Sequence, residues 1–190
     1  MKKILTVFAL KMEAQNLFEN ENVIFTGVGK INASYNLCKS IFNNRPDFVI
    51  NLGSAGSSVF KAGSLVGCSK FIQRDMDAVP LGFEKWVTPF DKKKSLLEYG
   101  EHFIEDLPQV ICGTGDNFDT SGAKEIYDIV DMEAYALAKI CQLEKIPFVS
   151  VKYISDGADG KAADDWNEVV TLSAVKLFWA YQEICKKIIN

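Results

Sequence analysis

Acidic and hydroxyl side chains follow several apolar runs of this sequence, where they could take part in proton transfer. Ser155 and Asp156 end the run 149–154 and precede Gly157. A carboxyl group at the end of a strand, with a hydroxyl group beside it, can hold and donate a proton, so Asp156 is a candidate general acid. A Ser-Asp pair before a glycine is also typical of an ordinary turn or helix cap. The functional interpretation therefore depends on what other segments supply.

Two further carboxylates lie at comparable positions. Glu133 follows the apolar run 129–132 and begins a segment with helical spacing, while Glu13 follows the first apolar run. The helix dipole favours a carboxylate in a first turn, which is the purely structural interpretation of both residues. Alternatively, the two oxygens of Glu133 suit a pair of neighbouring hydroxyl donors. Glu13 could then be a base that activates water.

Small residues and a lone aromatic residue suggest where a ligand could approach the backbone. Gly53 and Ser54 open the stretch 53–56, which we expect to be a turn after a strand, with a hydroxyl group offered by Ser54. Phe118 lies among Gly, Asp and Asn residues, where it either fills the core or stacks on a planar base. The glycines at 27 and 29 do not form a dinucleotide fingerprint, because Asn32 occupies the position of its third glycine.

The elements that must position these residues alternate between strands and helices. We predict strands at 3–8, 23–26, 48–52, 65–72, 110–113, 129–132 and 148–154. We predict helices at 31–42, at 133–143 and along the apolar stripe from 170 to 188. This alternation, with nearly continuous apolar strands, indicates a largely parallel sheet covered on both faces. Ligands of such folds bind beyond the carboxyl ends of the strands.

Composition excludes several classes of protein. The chain has 190 residues with 48% hydrophobic content and no linker, so we expect one domain over 1–190. A net charge of -4 and a pI near 5.1 argue against nucleic acid as a partner. Five dispersed cysteines and the single His102 argue against a metal site and favour a reducing, cytoplasmic location. No apolar run approaches the ~18 residues of a membrane span, and the N-terminal run ends too early for a signal peptide.

Six segments, taken in order, resemble the nucleoside phosphorylase and nucleosidase superfamily, and in particular its bacterial 5'-methylthioadenosine/S-adenosylhomocysteine nucleosidases. Each segment is a weak signal alone, but together they extend along nearly the whole chain in the order of the family. They are ALKME at 9–13, TGVGK at 26–30, NLGSAG at 51–56, GDNF at 115–118, VDMEA at 130–134 and ISDGAD at 154–159.

This resemblance implies a three-layer α/β/α sandwich with a central, mostly parallel mixed sheet. It also implies hydrolysis of the N-glycosidic bond of a 5'-substituted adenosine, with no cofactor. Asp156 would protonate N7 of the purine, Ser155 would orient its carboxyl group, and Glu13 would activate the attacking water. Carboxylates around an electron-poor sugar would stabilise a transition state that resembles an oxocarbenium ion.

The resemblance also implies a binding site for the purine nucleoside. Glu133 would bind the ribose 2'- and 3'-hydroxyls and Met132 would pack on the sugar. Ser54, beside Gly53, would lie near the water and the sugar, and Phe118 would stack on the adenine.

The 5'-substituent pocket of the family is apolar and partly completed by a second subunit, which implies a homodimer. The matching residues here are Leu81 and Phe83, in the stretch 77–83, and the later Trp166. As an alternative, these residues are ordinary loop contacts.

The sequence departs from the family in ways that leave the substrate open. It is shorter between Phe18 and Val23 and between Phe118 and Val130, and Lys152 stands where the family has an arginine. Phosphorylases of the superfamily bind phosphate with arginines, one of them just before the small-residue turn, where this chain has Asn51 and Leu52. Neither of its two arginines, at 45 and 74, falls at a matching position. We therefore expect hydrolysis, with phosphorolysis and non-catalytic nucleoside binding as the alternatives.

Overall fold

Eight strands in the described part of the chain pair into one mixed sheet. The structure is a computed structural model that describes residues 2–91, 96–99, 103–119, 125–158 and 172–189. The strands are β1 (Ile4–Phe8), β2 (Val23–Phe25), β3 (Phe48–Gly56), β4 (Leu65–Gln73), β5 (Leu97–Glu98), β6 (Gln109–Thr114), β7 (Ile129–Asp131) and β8 (Phe148–Asp156).

The pairing of five of these strands closes the sheet on itself. β3 pairs in parallel with β8, and β8 pairs antiparallel with β4, which in turn runs parallel to β6. β6 is parallel to β7, and β7 returns to β3 through the antiparallel pair Val130 and Gly56. β1 pairs in parallel with residues 48–51 of β3, β2 pairs in parallel with β1, and β5 pairs with β4. The mixed α/β fold with a mixed sheet agrees with the sequence prediction, whereas the three-layer sandwich is not confirmed, because the sheet is closed.

Helices cover the sheet on two sides. Among the described residues they are α1 (Lys11–Ala14), α2 (Lys30–Asn43), α3 (Ala134–Glu144) and α4 (Ser173–Ile189). The buried residues of α2, Ala33, Leu37 and Ile41, recur every fourth position and join α3 in one hydrophobic cluster. α4 and α1 contribute to a second cluster with β3 and β8. No helix of the described residues is long and apolar enough to cross a membrane.

Two strands continue further than the sequence predicts, and this changes how the site is built. We expected a turn at 53–56, but these small residues belong to β3, which runs to Gly56. We expected β8 to end at Ile154, but Ser155 and Asp156 are its last two residues. The ends of β3 and β8 pair with each other. Their register continues through Ala55 and Ile154 and then shifts by one residue, so that Gly56 pairs with Asp156.

Candidate active site

A cavity of about 280 Å³ opens where β3, β7 and β8 end. It brings together seven residues that the sequence singled out, which are Glu13, Ser54, Phe118, Met132, Glu133, Ser155 and Asp156. Its further lining residues are Ala9, Leu10, Val28, Ala55, Gly56, Arg74, Asn117, Asp119, Val130 and Asp131.

Asp156 is held in a fixed orientation at the end of β8. Its carboxyl group accepts hydrogen bonds from Ser155 Oγ, at 2.7 Å to Oδ2, and from the backbone N–H of Ala158, at 2.9 Å to Oδ1. Only 3% of the residue is exposed, yet it lines the cavity. A carboxyl group that is buried, oriented by two donors and open to a cavity is well placed to exchange a proton with a ligand there.

Glu13 is fixed by three donors from two elements. Its Oε2 accepts the N–H of Leu10 and thereby caps α1, while its Oε1 accepts both the N–H and the hydroxyl group of Ser54, each at 2.9 Å. Gly53 lies alongside, where an added Cβ atom would be 3.2 Å from Oε1. The small residues at the end of β3 therefore admit the Glu13 carboxylate to the cavity, although we had expected them to approach a ligand themselves.

Glu133 precedes α3 and is almost fully buried. Its Oε1 accepts the backbone N–H of Gly29 at 2.8 Å. Burial raises its pKa to about 8, and the charges of Asp131 and Glu13 act in the same direction, while Lys152 and the Gly29 N–H oppose them. The Glu133 carboxyl group therefore keeps its proton near neutral pH in the free protein, and it can both donate a hydrogen bond to a ligand and accept one.

A buried ion pair supports this group of carboxylates. Lys152 Nζ lies 2.9 Å from Asp131 Oδ2, and the side chains of both residues are 2% exposed. Asp131 also accepts hydrogen bonds from Thr114 Oγ1 and the Ala134 N–H. Burial alone would raise the pKa of Asp131, but the Lys152 ammonium group and these donors outweigh it and lower the pKa. The pKa of Lys152 is raised because the charges of Asp131 and Glu133 outweigh its burial.

Another part of the cavity wall is made by the loop that carries Phe118. Phe118 is 46% exposed and lines the cavity between Asn117 and Asp119. The Arg74 guanidinium group donates to the side-chain oxygen of Asn117 at 2.9 Å and to the backbone carbonyl of Asn117. An aromatic face that is half open to a cavity can stack on a planar ligand.

Not every predicted site residue reaches this cavity. Leu81 is 76% exposed at the end of a 3₁₀ turn, Val79–Leu81, and Phe83 packs edge-on against Phe90 with ring centroids 5.3 Å apart. Neither residue lines the cavity of its own chain. Trp166 lies outside the described residues. Among the residues that the structure describes, no cluster of three or more His, Cys, Asp or Glu side chains could hold a metal ion.

The residues that sequence reasoning missed are mainly neighbours of those it found. Asp131 belongs to the VDMEA segment, and Asn117 and Asp119 flank Phe118, so position in the motif was the available signal. Arg74 was considered only as a phosphate ligand. Its hydrogen bonds to Asn117 join the end of β4 to the loop after β6, and no local sequence pattern predicts such a contact.

A mixed, closed sheet with several buried carboxylates at its strand ends defines a small-molecule enzyme site. The chain belongs to the phosphorylase superfamily, whose family model matches residues 17–181. It is 34% identical over 170 residues to a 5'-methylthioadenosine/S-adenosylhomocysteine nucleosidase of Haemophilus influenzae, covering 78% of this chain and 73% of that protein. The family resemblance inferred from the six segments is thereby confirmed.

Solved structures agree on the fold. The 5'-methylthioadenosine/S-adenosylhomocysteine nucleosidase of Helicobacter pylori, solved with butyl-thio-DADMe-Immucillin-A, superimposes with a TM-score of 0.90 at 20% identity, covering 98% of this chain and 99% of that one. The futalosine hydrolase of the same organism gives a TM-score of 0.88 at 19% identity, covering 98% of each chain. At this level of identity these structures support the fold and leave the preferred nucleoside open.

Proposed function

We propose that this protein is a nucleosidase that hydrolyses the N-glycosidic bond of a 5'-substituted adenosine, of the 5'-methylthioadenosine or S-adenosylhomocysteine type, and releases adenine. The observation that carries the proposal is the convergence of Glu13, Glu133 and Asp156 on one cavity, each fixed by hydrogen bonds from the backbone. The similarity to nucleosidases over most of the chain supports the same activity.

In the proposed reaction the bond between C1' and N9 breaks, and its electron pair moves into the purine. Asp156 delivers a proton to N7, which makes the purine a better leaving group. The sugar develops positive charge, which is stabilised by the Glu13 carboxylate and by Asp156 as it gives up its proton. Water attacks C1', and Glu13 takes the proton that the water loses. Fixed positions for both carboxyl groups favour such a concerted exchange, because no reorientation is needed during the reaction.

The sugar would lie beside Glu133 and Met132, and the base would lie beside Phe118. Glu133 would bind the 2'- and 3'-hydroxyls, and its pKa of about 8 suits this role because a protonated carboxyl group offers both a donor and an acceptor. Met132, which lines the cavity next to Glu133, would pack on the ribose. The half-exposed ring of Phe118 would stack on the adenine.

Hydrolysis is favoured over phosphorolysis by the engagement of both arginines. Arg74 lines the cavity, but its guanidinium group already donates to Asn117 and lies 4.0 Å from Asp119. Arg45 is half exposed and pairs with Glu144. Neither Arg45 nor Glu144 lines the cavity. Asn51 and Leu52 stand where the family resemblance places a phosphate-binding arginine of phosphorylases. Both are buried, and Asn51 accepts a hydrogen bond from Ser150. A bound phosphate would therefore lack a free arginine, the side chain best suited to grip it.

Adenine release with and without phosphate tests this proposal. Purified protein should release adenine from 5'-methylthioadenosine in phosphate-free buffer, and added phosphate should leave the rate unchanged. Release that requires phosphate would establish a phosphorylase instead. Binding of the nucleoside without release under either condition would establish a nucleoside-binding protein. A panel with S-adenosylhomocysteine, 5'-deoxyadenosine and 6-amino-6-deoxyfutalosine would then rank the substrates.

We also propose that the protein is a homodimer in which Leu81, Phe83 and Trp166 contribute to a 5'-substituent pocket. Support comes from apolar surface that the single chain leaves open. Leu81 is 76% exposed, and on α2 the outward residues Ile31 and Phe42 are 81% and 90% exposed. Exposed apolar patches commonly mark protein interfaces. Light scattering should give twice the mass of the chain, and a monomeric mass would contradict the proposal.

A further inference from the structure

The loop that carries Phe118 is fastened to the end of β4 by one side chain. Arg74 directly follows β4, and its guanidinium group donates to two different oxygens of Asn117, the side-chain Oδ1 and the backbone carbonyl. A planar guanidinium group with two bonds fixes both the position and the direction of its partner. Because Asn117 directly precedes Phe118, these two bonds restrict the position of the Phe118 backbone.

The site of Arg74 is built around its guanidinium group. The side chain is only 6% exposed. A Cβ atom at Gly115 would lie 2.8 Å from Arg74 Cζ, so a larger residue there would displace the guanidinium group. Arg74 Nε is a buried donor without a hydrogen-bond partner among the described residues. Such a donor costs free energy, so stability alone does not account for an arginine at this position.

A second contact between the same two segments lies one residue further before Phe118. Asp75, the next residue after Arg74, accepts the backbone N–H of Asp116 at 2.9 Å. Lys30, at the start of α2, pairs with Asp75 and also lies 3.5 Å from Asp116. The loop 115–119 is therefore held at two points before Phe118, and Arg74 supplies the contact that is nearer to Phe118 in sequence.

We propose that Arg74 is a positioning residue that holds the loop 115–119 so that the Phe118 ring faces the adenine. This inference rests on the proposed function, in which Phe118 stacks on the base. Arg74 acts through Phe118 and takes no part in proton transfer, so its loss weakens binding of the base while the chemical step continues at its normal rate.

The test compares substitutions of the two arginines. Arg74→Met removes both bonds to Asn117, and Arg74→Lys keeps the charge without the planar fork. Arg45→Met is the matched control, because Arg45 pairs with Glu144 away from the cavity. Both Arg74 variants should raise the Kd for adenine, measured by calorimetry, and the KM for 5'-methylthioadenosine by about tenfold, a part of the usual stacking contribution. We expect kcat to stay within about twofold, and the control to match wild type.

A double-mutant cycle separates positioning from general disruption of the fold. In a Phe118→Ala background, Arg74→Met should cause no further decrease in adenine affinity, because the ring that Arg74 positions is absent. An unchanged Kd in both Arg74 variants, a fall in kcat with unchanged KM, or additive effects in the cycle would each overturn the inference while the proposed function stands. A wild-type protein that neither binds nor releases adenine would overturn both.

Discussion

The two sides of the cavity are built in contrasting ways. The carboxylate side, formed by Glu13, Glu133 and Asp156, lies at strand ends or beside them, and each of these residues is less than 10% exposed. The loop side, formed by Arg74 and the residues 117–119, depends on side chains that join two loops, and its Phe118 is 46% exposed.

This difference indicates a division of labour. Proton transfer requires groups held at defined positions, and backbone N–H groups hold all three carboxyl groups here, Glu13 on α1, Glu133 before α3 and Asp156 at the end of β8. Recognition of a planar base requires an aromatic ring that faces the base, but it transfers no proton. We therefore expect substitutions on the carboxylate side to change turnover or stability, and substitutions on the loop side to change affinity.

The largest effect is expected for Asp156→Asn. An amide cannot deliver the proton, so turnover should fall by roughly 10²- to 10⁴-fold. Binding of a non-hydrolysable nucleoside analogue should remain measurable, because the size and shape of the side chain are kept. Turnover and binding are measured on the variant and on Asp47→Asn, a surface control. Near-normal turnover would remove Asp156 from the role of general acid.

Glu13→Gln should also abolish most turnover, by a similar roughly 10²-fold or more, because an amide cannot take the proton of water. The amide has one oxygen for three donors, which are the Leu10 N–H and the two groups of Ser54. One donor must lose its acceptor, at a cost of about 1–3 kcal/mol in the free energy of unfolding. Adenine release and denaturant unfolding measure the two effects, with Glu19→Gln as control. A variant that hydrolyses normally would contradict the role of base.

The carboxylate side was largely predictable from the sequence, and the closure of the sheet was not. Glu13, Ser54, Glu133 and Asp156 fall within short motifs, so a local pattern identified them. Closure depends on β7 meeting β3 through a single residue pair, Val130 and Gly56, which are far apart in sequence. Periodicity carries no information on such a contact, because it reports only which face of an element is apolar.

Two other features could not be predicted, for the same physical reason. The small residues 53–56 resemble a turn, but their lack of bulk serves the approach of Glu13 to the end of β3. Arg74 resembles an unassigned cation until its partner Asn117, 43 residues away, is placed beside it. In both cases the contacting residue, Glu13 or Asn117, is distant in sequence and becomes a neighbour only in the folded chain. The sequence pattern alone therefore favoured the commoner interpretation.

The buried ion pair beneath the carboxylate side should affect stability. Lys152→Met leaves Asp131 charged and buried without its partner, which should lower the free energy of unfolding by about 3–5 kcal/mol. Adding Asp131→Asn to this variant removes the unpaired charge and should restore part of the stability. Lys152→Arg, which retains the charge, should be the least affected. Denaturant unfolding measures all three, and a Lys152→Met variant as stable as wild type would contradict the assignment.

Stability should also depend on pH through Glu133. Its pKa is about 8 in the folded protein, above the ordinary value of 4.5, so the folded state keeps a proton that the unfolded state loses. The stabilisation is complete below pH 4.5 and is lost as the pH rises towards 8, at up to about 1.4 kcal/mol per pH unit. Unfolding at pH 5, 6, 7 and 8 should show this decline in wild type and a smaller decline in Glu133→Gln. Parallel curves for the two proteins would contradict it.

The smallest effect on the fold is expected at Leu81, which belongs to neither side of the cavity. Because it is 76% exposed, Leu81→Ala should change the free energy of unfolding by no more than about 0.5 kcal/mol. If a partner subunit buries it against the 5'-substituent, affinity for 5'-methylthioadenosine should fall by roughly fourfold for each methylene group that the substitution removes from the pocket, while affinity for adenine stays constant. Val175→Ala, 70% exposed on α4, is the control. An equal decrease in affinity for both ligands would place Leu81 near the adenine and would contradict its proposed place in the 5'-substituent pocket.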